Sequence, residues 1–456
     1  MTYSKPLKAL VGIAALRSSV RAMTSEVRAP LLLLLFAACG FPRPADVGDD
    51  GGTGAPGPGI TVHVSPSGDD ANDGLIQPVK TLKHAIGLAS ENHQVTKIVL
   101  SSGIYSSSSG ETFPYIVPPE VTVVGPAGGG AVLTGTRMEP GMTVAAGTLQ
   151  DLDFKDFTVA ITVTGTASIK NIRVGTSTVA VQAETTAKLT ADNLDVTGTA
   201  GACLSGIVLH GFAALTVSSF TTRVLGTSLL VREQGTAVLT AANITGDPSC
   251  GALISIVSSG VFKLSDSILD GGADGVDIGA SGATQPTQAI LTNVVIRNMD
   301  ASALGVGNAT VTMSGGELSH TRETSFSMVG GSCSMSNVSL LSSGAAFYVQ
   351  DANLMMRNCT ISGNAVGGDL GVRAVGDLGT TSSPGNNVFK NSGVGLLIEG
   401  GNGAQQVQAV GNAWNPIQGA DSDGKYVPGT VIPGPISCAS TSNNFCIQVS
   451  DESLVL

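Results

Sequence analysis

The residue types that could do chemistry gather between positions 223 and 297. Arg223, Asp247, Asp270 and Arg297 follow one another at 24, 23 and 27 residues, and Asp274 and Asp277 lie just past Asp270 in the run Asp-Gly-Gly-Ala-Asp-Gly-Val-Asp. If that recurrence is a structural period, the four residues form one outward column with Asp247 beside Asp270. Like charges adjacent in a sheet repel, so the aspartates need compensation, either from the flanking arginines or from a bound cation. Asp247, Asp270, Asp274 and Asp277 together offer carboxylate oxygens to calcium, which takes about 6 to 8 oxygen ligands. Three readings stand: a structural salt-bridge column, which is favoured, a cation or sugar site without turnover, and a catalytic site.

The elements that must position these residues are legible in a repeat. A small or apolar residue, an apolar residue two steps on, and Asn or another turn-former two steps further recur nine times. The marker falls at Asn171, Asn193, Ser219, Asn243, Asp266, Asn293, Gly315, Asn337 and Asn358, at intervals of 21 to 27 residues. Alternate residues of a strand share one side, so the positions four and two before each marker should form inward stacks when coils lie on one another. Leu189, Leu215 and Leu239 are such a set. Asn tolerates a left-handed backbone, which suits a recurring bend, and stacked amides can bond from coil to coil. The period predicts an all-β fold, a right-handed parallel β-helix solenoid. Leucine-rich repeats share the period, but their Leu-rich consensus is absent.

Composition agrees. The chain has 456 residues, 60 of them Gly, with 4% aromatic and 12% charged residues, which suits short strands and tight turns rather than a charged helical bundle. A solenoid grows by adding coils to one core, so a single long domain and a monomer are expected. The net charge of −11 argues against nucleic acid, which rewards Lys and Arg.

The N-terminus reads as a targeting signal. Residues 31–38 are an apolar and small-residue run, preceded by Arg28 and followed by Cys39. It is too short to span a bilayer, which takes about 20 apolar residues, and reads as a signal-peptide core. Phe36-Ala37-Ala38-Cys39 resembles a bacterial lipobox, which implies diacylation of Cys39 and removal of residues 1–38, with Met23 a plausible true start. A cleaved secretory peptide with an incidental Cys is the alternative. Gly40 after the Cys, where an Asp would resemble an inner-membrane retention signal, favours the bacterial outer membrane or cell surface. Residues 39–60, rich in Gly, Pro and Asp, read as a tether.

Six cysteines remain, and an exported chain could oxidise them. Cys438 and Cys446 can close a small loop and are expected to pair. Cys203 and Cys250 sit in turns two coils apart, about 10 Å at strand spacing, so pairing them requires loops that lean together. Cys333 and Cys359 do not overlie one another. No Cys-x-x-Cys supports zinc. Ala71 breaks the alternate-ligand spacing of an EF-hand in the acidic run 69–74, which reads as a solvated turn. His210 and His320 are isolated and read as structural, and no serine-histidine-acid order or phosphate loop stands out.

Residues 61–135 differ from the repeats. Pro78, Thr81, Leu82, Ala85, Ile86 and Ala89 mark one amphipathic helix, expected to cap the open end of the solenoid. Val64-Ser65-Pro66-Ser67-Gly68-Asp69, Asn72-Asp73-Gly74, Pro78-Val79-Lys80-Thr81-Leu82, Ala85-Ile86, Gly103-Ile104-Tyr105 and Gly110-Glu111-Thr112-Phe113-Pro114 resemble domain of unknown function 1565, a family placed with the pectate-lyase-like right-handed β-helices. Leu378-Gly379-Thr380, Pro384-Gly385-Asn386-Asn387 and Gly411-Asn412-Ala413-Trp414 are similar to late coils of bacterial lipoproteins of that family. The resemblance implies the fold and no established reaction. Coils are expected over 136–414, with Asn387 and Asn412 extending the marker, and a cap or tail over 415–456, where Pro428, Pro433 and Pro435 oppose further central strand.

The carboxylate group also resembles the calcium cluster of pectate lyases. That resemblance implies Asp247, Asp270, Asp274 and Asp277 as ligands and Arg297 as the base, although that family's adjacent Asp-Asp pair is missing here. The expectation is a lipid-anchored surface β-helix that binds extracellular polysaccharide or a cell-surface partner, with a calcium-dependent polysaccharide lyase as the alternative.

Overall fold

In a computed structural model the described residues are 59–258, 260–279, 287–390, 392, 395–398 and 406–414, with three further strands at Val431–Pro433, Ile447–Val449 and Ser453–Val455. All belong to the compact unit Pro56–Leu456. The leader, Cys39, the tether up to residue 58 and the expected Cys438–Cys446 pair lie outside the described residues.

The fold is the expected parallel β-helix. Each coil contributes one strand to each of three faces, and each strand pairs in parallel with its counterpart one coil on. On the first face Val179–Ala183, Ser205–Leu209 and Thr227–Glu233 lie side by side. The second and third faces are commonly one continuous strand bent once, as in Lys188–Thr197, Ala214–Leu225 and Thr236–Gly246. Alternation along these strands sends Leu189, Ala191, Leu194 and Val196 inward, and their counterparts Leu215, Val217 and Phe220 stack on them. No coil could bury such residues alone; the stack supplies one continuous core.

The bend between second and third faces is a left-handed residue. Asn171, Asn193, Ser219, Asp266, Asn293, Gly315, Asn337 and Asn358 all have φ between 51° and 67°. The amides bond along the axis as anticipated: Asn193 Nδ2 donates to Asn171 Oδ1 at 3.0 Å, Asn171 Nδ2 to Asp151 Oδ1 at 2.8 Å, and Asn293 Nδ2 to Asp266 Oδ1 at 3.1 Å. Gly315 leaves that amide room, since a Cβ there would meet Asn293 Oδ1 at 2.5 Å and displace it.

One marker is displaced. The bend of the fourth coil is Ala241, with φ of 54°, and Asn243 lies two residues past it on the third face. Thus Leu215 stacks on Ala237, and Leu239 stacks on Val217. Burial of Ala237 and Leu239 decides the register: moving the strand by two would preserve alternation yet exchange which apolar residues meet. A second marker also moves. Asn386, with φ of 50°, forms the bend, while Asn387 and Asn412 are buried inside the end of the core. Asn412 Oδ1 accepts from the Asn387 backbone N–H at 2.9 Å and Asn387 Oδ1 from that of Cys359 at 2.9 Å, so these amides satisfy interior backbone groups rather than turn the chain. Phe389 and Trp414 stack beside them, centroids 4.3 Å apart.

The capping helix α1 spans Leu82–Glu91 and buries Leu82, Ala85, Ile86 and Ala89. Its start is clamped by two carboxylates. Asp70, from the acidic run, accepts from the N–H groups of Lys80 and Thr81 and from Thr81 Oγ1, each at 2.8 Å. Burial pushes its carboxyl up, and the Thr81 and Lys80 hydrogen bonds outweigh that and hold it below the usual range. Glu111, buried, accepts from Leu82 N–H at 2.8 Å and from the Tyr115 hydroxyl. Here burial prevails over the hydrogen bonds and raises the carboxyl. The ladder continues beyond Trp414, where the repeat had been expected to stop. Ile447–Val449 pairs in parallel with Leu396–Ile398, Ser453–Val455 pairs with Gln406–Gln408, and Val431–Pro433 closes antiparallel on Ser453–Val455.

Candidate functional site

The structure distributes the four candidate carboxylates instead of gathering them. Because the bend is at Ala241, Thr245 takes the place expected of Asp247 beside Asp270. Asp247 belongs to a corner loop, where Oδ2 accepts from Gly201 N–H at 2.6 Å and Oδ1 from Ser249 N–H at 2.9 Å and Ser249 Oγ at 2.7 Å. Asp270 is on the third face. Asp274 begins a first-face strand and accepts from Ser302 N–H at 3.0 Å, and Asp277 lies on that face between Ser255 and Gly305. Among the described residues no three His, Cys, Asp or Glu side chains come together to hold a metal ion. The proposed calcium cluster is therefore corrected: a two-residue register shift removes one ligand, and a corner of the coil separates Asp270 from Asp277.

Arg297, the expected base, is held in an ion pair. Its Nε and Nη2 donate to Asp270 Oδ2 at 3.0 and 2.8 Å, and Asn298 Nδ2 donates to Asp270 Oδ1 at 2.7 Å. Burial pushes the Asp270 carboxyl up, and Asn298 and Arg297 more than offset it, so it ionises below its ordinary range. The same device recurs at Asp153 with Arg173, Asp195 with Arg223, and Asp377 with Arg357. The favoured reading, a structural salt-bridge column, describes this geometry, although the Asp–Arg pairs form from one coil to the next and without Asp247.

Asp247 has another consequence. By tying Gly201 to the loop of Ser249, it draws together the loops that carry Cys203 and Cys250, which form a disulfide with Cα atoms 5.5 Å apart. The coil between them turns at Gly226, where a Cβ would meet Cys203 Cα at 2.8 Å. The bridge thus passes over a coil with no side chain to obstruct it. Cys333 and Cys359 are free and buried.

The most regular chemical surface is the second face. Ser218, Thr240, Ser265, Thr292, Ser314 and Ser336 occupy one outward column on six successive coils. At strand spacing they run for about 24 Å. On the last two coils the row widens to Thr310, Thr312 and Ser314 above Ser332, Ser334 and Ser336. Some hydroxyls pair, as Ser265 Oγ with Thr240 Oγ1 at 3.3 Å and Ser218 Oγ with Asp192 Oδ1 at 3.0 Å, but each keeps capacity to donate or accept once more. No histidine occurs in these strands. His320 Nδ1 meets Ser319 Oγ at 3.0 Å, yet that serine is fully buried and beyond the reach of a substrate. This face can hydrogen-bond a repeating polar surface.

The family described as protein of unknown function (DUF1565) matches residues 66–320, more than half of the chain. The chain belongs to the DUF1565 family. The match reaches well beyond the 61–135 segment on which the sequence resemblance was strongest. No curated protein matches this DUF1565 chain. Among solved structures it is similar to a GH87 alpha-1,3-glucanase catalytic domain in complex with tetrasaccharides, at 12% identity and a TM-score of 0.43, covering 80% of this chain and 69% of that one. The same catalytic domain in complex with nigerose gives 14% identity and 0.40 over 80% and 69%. The A-module of the Azotobacter vinelandii mannuronan C-5 epimerase AlgE4 gives 12% identity and 0.25 over 82% and 92%.

Asp247 and Asp270 should respond differently to substitution. The Gly201 and Ser249 hydrogen bonds hold the Asp247 carboxyl below its ordinary value, so the folded state binds fewer protons than the unfolded one. Its stabilisation is complete above the unfolded pKa of about 4 and is lost as pH falls through the folded value. In denaturant titrations the gap between wild type and Asp247→Ala should be constant from about pH 7 to 5 and close on further acidification. Asp270→Ala, in an exposed pair, should cost no more than about 1 kcal/mol. A gap for Asp247→Ala that widens in acid would contradict the assignment.

Proposed function

We propose that this DUF1565 protein is a binding module for extracellular polysaccharide, held on the bacterial outer membrane or cell surface through diacylated Cys39. The observation that carries the binding reading is the hydroxyl column of the second face, six coils long and set at the strand repeat. A polysaccharide presents hydroxyls at a regular spacing along an extended chain. A rigid row of Ser and Thr meets it with donors and acceptors already in place, so little ordering entropy is lost on contact. Interior stacking supplies that rigidity, since every residue of the row alternates with buried ones such as Leu239, Leu264 and Leu291. Ion pairing of most surface arginines leaves few guanidinium groups for phosphates, which argues against nucleic acid. The anchoring reading rests on the Phe36-Ala37-Ala38-Cys39 motif and the Gly/Pro/Asp segment behind it, which would let the rigid body stand off from a membrane.

The binding reading is tested by affinity electrophoresis through a panel of neutral and acidic polysaccharides. Thr240→Val, Thr292→Val and Thr312→Val combined remove hydroxyls while keeping shape, and are expected to weaken retardation about tenfold with little change in Tm. Undiminished retardation of the triple variant would contradict a second-face site. Anchoring is tested by growth with labelled palmitate: label should enter the full chain and be absent from Cys39→Ala. Equal labelling of both would remove the lipid anchor from the account.

A further inference from the structure

We infer that the corner where the first face meets the second, around Phe212, His210 and Arg232, is a subsite for a carboxylate-bearing sugar residue. The inference deepens the polysaccharide-binding reading and rests on it. Two exceptions to the pattern of the surface coincide there.

The first is a cation. Among the described residues, Arg137, Arg173, Arg223, Arg297, Arg322, Arg357 and Arg373 each form an ion pair with an aspartate or glutamate. Arg232 is the one described arginine outside that set, and it is exposed. Glu233, next to it in sequence, is carried away by a left-handed backbone with φ of 60°. The second exception is an aromatic ring. Phe212 is 63% exposed, and it is the only aromatic side chain among the described residues to be so displayed. Every other phenylalanine of the coils from Phe154 to Phe389 is buried.

The fold puts the two together. Val208 pairs with Leu230 and Leu209 with Val231, which places His210 and Arg232 side by side on successive coils, about 4.8 Å apart along the axis. Alternation sends both outward, since Leu209 and Val231 are buried between them and the core. Directly after His210, Gly211 turns left-handed with φ of 64°, and Phe212 is pinned at the corner by its N–H to the carbonyl of Thr185 at 2.5 Å. On the coil before, Glu184 heads the same column, and its carboxylate accepts from Gln182 Nε2.

The chemistry of these groups is complementary to a uronate or similarly carboxylated sugar. An unpaired guanidinium offers a planar fork that matches a carboxylate with two parallel hydrogen bonds. The exposed Phe212 ring offers an apolar plate to the C–H face of a pyranose, and His210 between them offers one more polar contact. Glu184 on the far side would disfavour a second carboxylate close by, which gives the subsite a direction. The second-face hydroxyl row begins on these same coils, at the far edge of the second face, so the corner would hold a residue of a chain that crosses that face.

The test compares an oligogalacturonate with its carboxyl-reduced neutral counterpart, by calorimetry on the purified chain. Wild type should bind the oligogalacturonate the more tightly. Arg232→Ala should lose about tenfold or more of affinity for it and less than about twofold for the neutral oligomer, with Arg232→Lys in between, because a point charge replaces the fork. Phe212→Ala should weaken both ligands alike. Both positions are exposed, so folding should be retained. Equal wild-type affinity for the two oligomers, or Arg232→Ala binding as wild type, overturns the subsite and leaves the second-face reading standing. Absence of wild-type binding to both overturns the two together.

Discussion

Each coil of this protein depends on its neighbours for backbone hydrogen bonds that it cannot make alone. The N–H and C=O groups of a parallel strand point along the solenoid axis, and each one buried without a partner costs about 1–3 kcal/mol. Register between coils is therefore a constraint on the whole chain, and every column described above follows from it. The left-handed bend is where that constraint is enforced. It must return the chain to the same path at each turn, and residues as different as Asn193, Ser219, Ala241 and Gly315 adopt it. At Asn171, Asn193 and Asn293 the amide adds a bond to the coil before; at Ala241 backbone pairing and the core on either side hold the bend without such help.

Much of the fold was legible because period and alternation are properties of burial. Leu189 over Leu215 could be read directly, as could α1 from the spacing of Leu82, Ala85, Ile86 and Ala89. The errors share a cause. Asn243 and Asn387 carry the expected bend chemistry, yet backbone pairing put the bends at Ala241 and Asn386. Local propensity is weaker than the register it serves. The site was less legible, since proximity of Asp247 to Asp270 rested on that two-residue error. The Cys203–Cys250 bridge depended on loop shape and on the absence of a side chain at Gly226, neither of which spacing reports. Arg232 was invisible as a candidate because its distinction lies in the pairing of the other arginines.

The function follows from how the surface treats charge and hydroxyls. Several carboxylates along the coils pair with arginines one turn away, as Asp153 does with Arg173 and Asp270 with Arg297, and such exposed pairs contribute little stability. Their effect is to occupy most of the surface guanidinium groups. Against that background the Ser and Thr column of the second face stands as an ordered array, and the Phe212 and Arg232 corner as a local departure from it. Both suit recognition of a long polar chain by a body too stiff to wrap around it, in which affinity accumulates from many equivalent contacts.

The in-register stacking is tested most directly by paired cysteine substitutions on the second face. Thr216 lies beside Val238, so Thr216→Cys with Val238→Cys places two Cα atoms about 5 Å apart, within disulfide reach. Thr216→Cys with Thr240→Cys, the pair that a bend at Asn243 would bring together, leaves them about 8 Å apart. Peptide mapping after mild oxidation should find the 216–238 cross-link formed and the 216–240 cross-link absent. The reverse pattern would show the coils to be stacked in another register, and the columns drawn from this one would no longer hold.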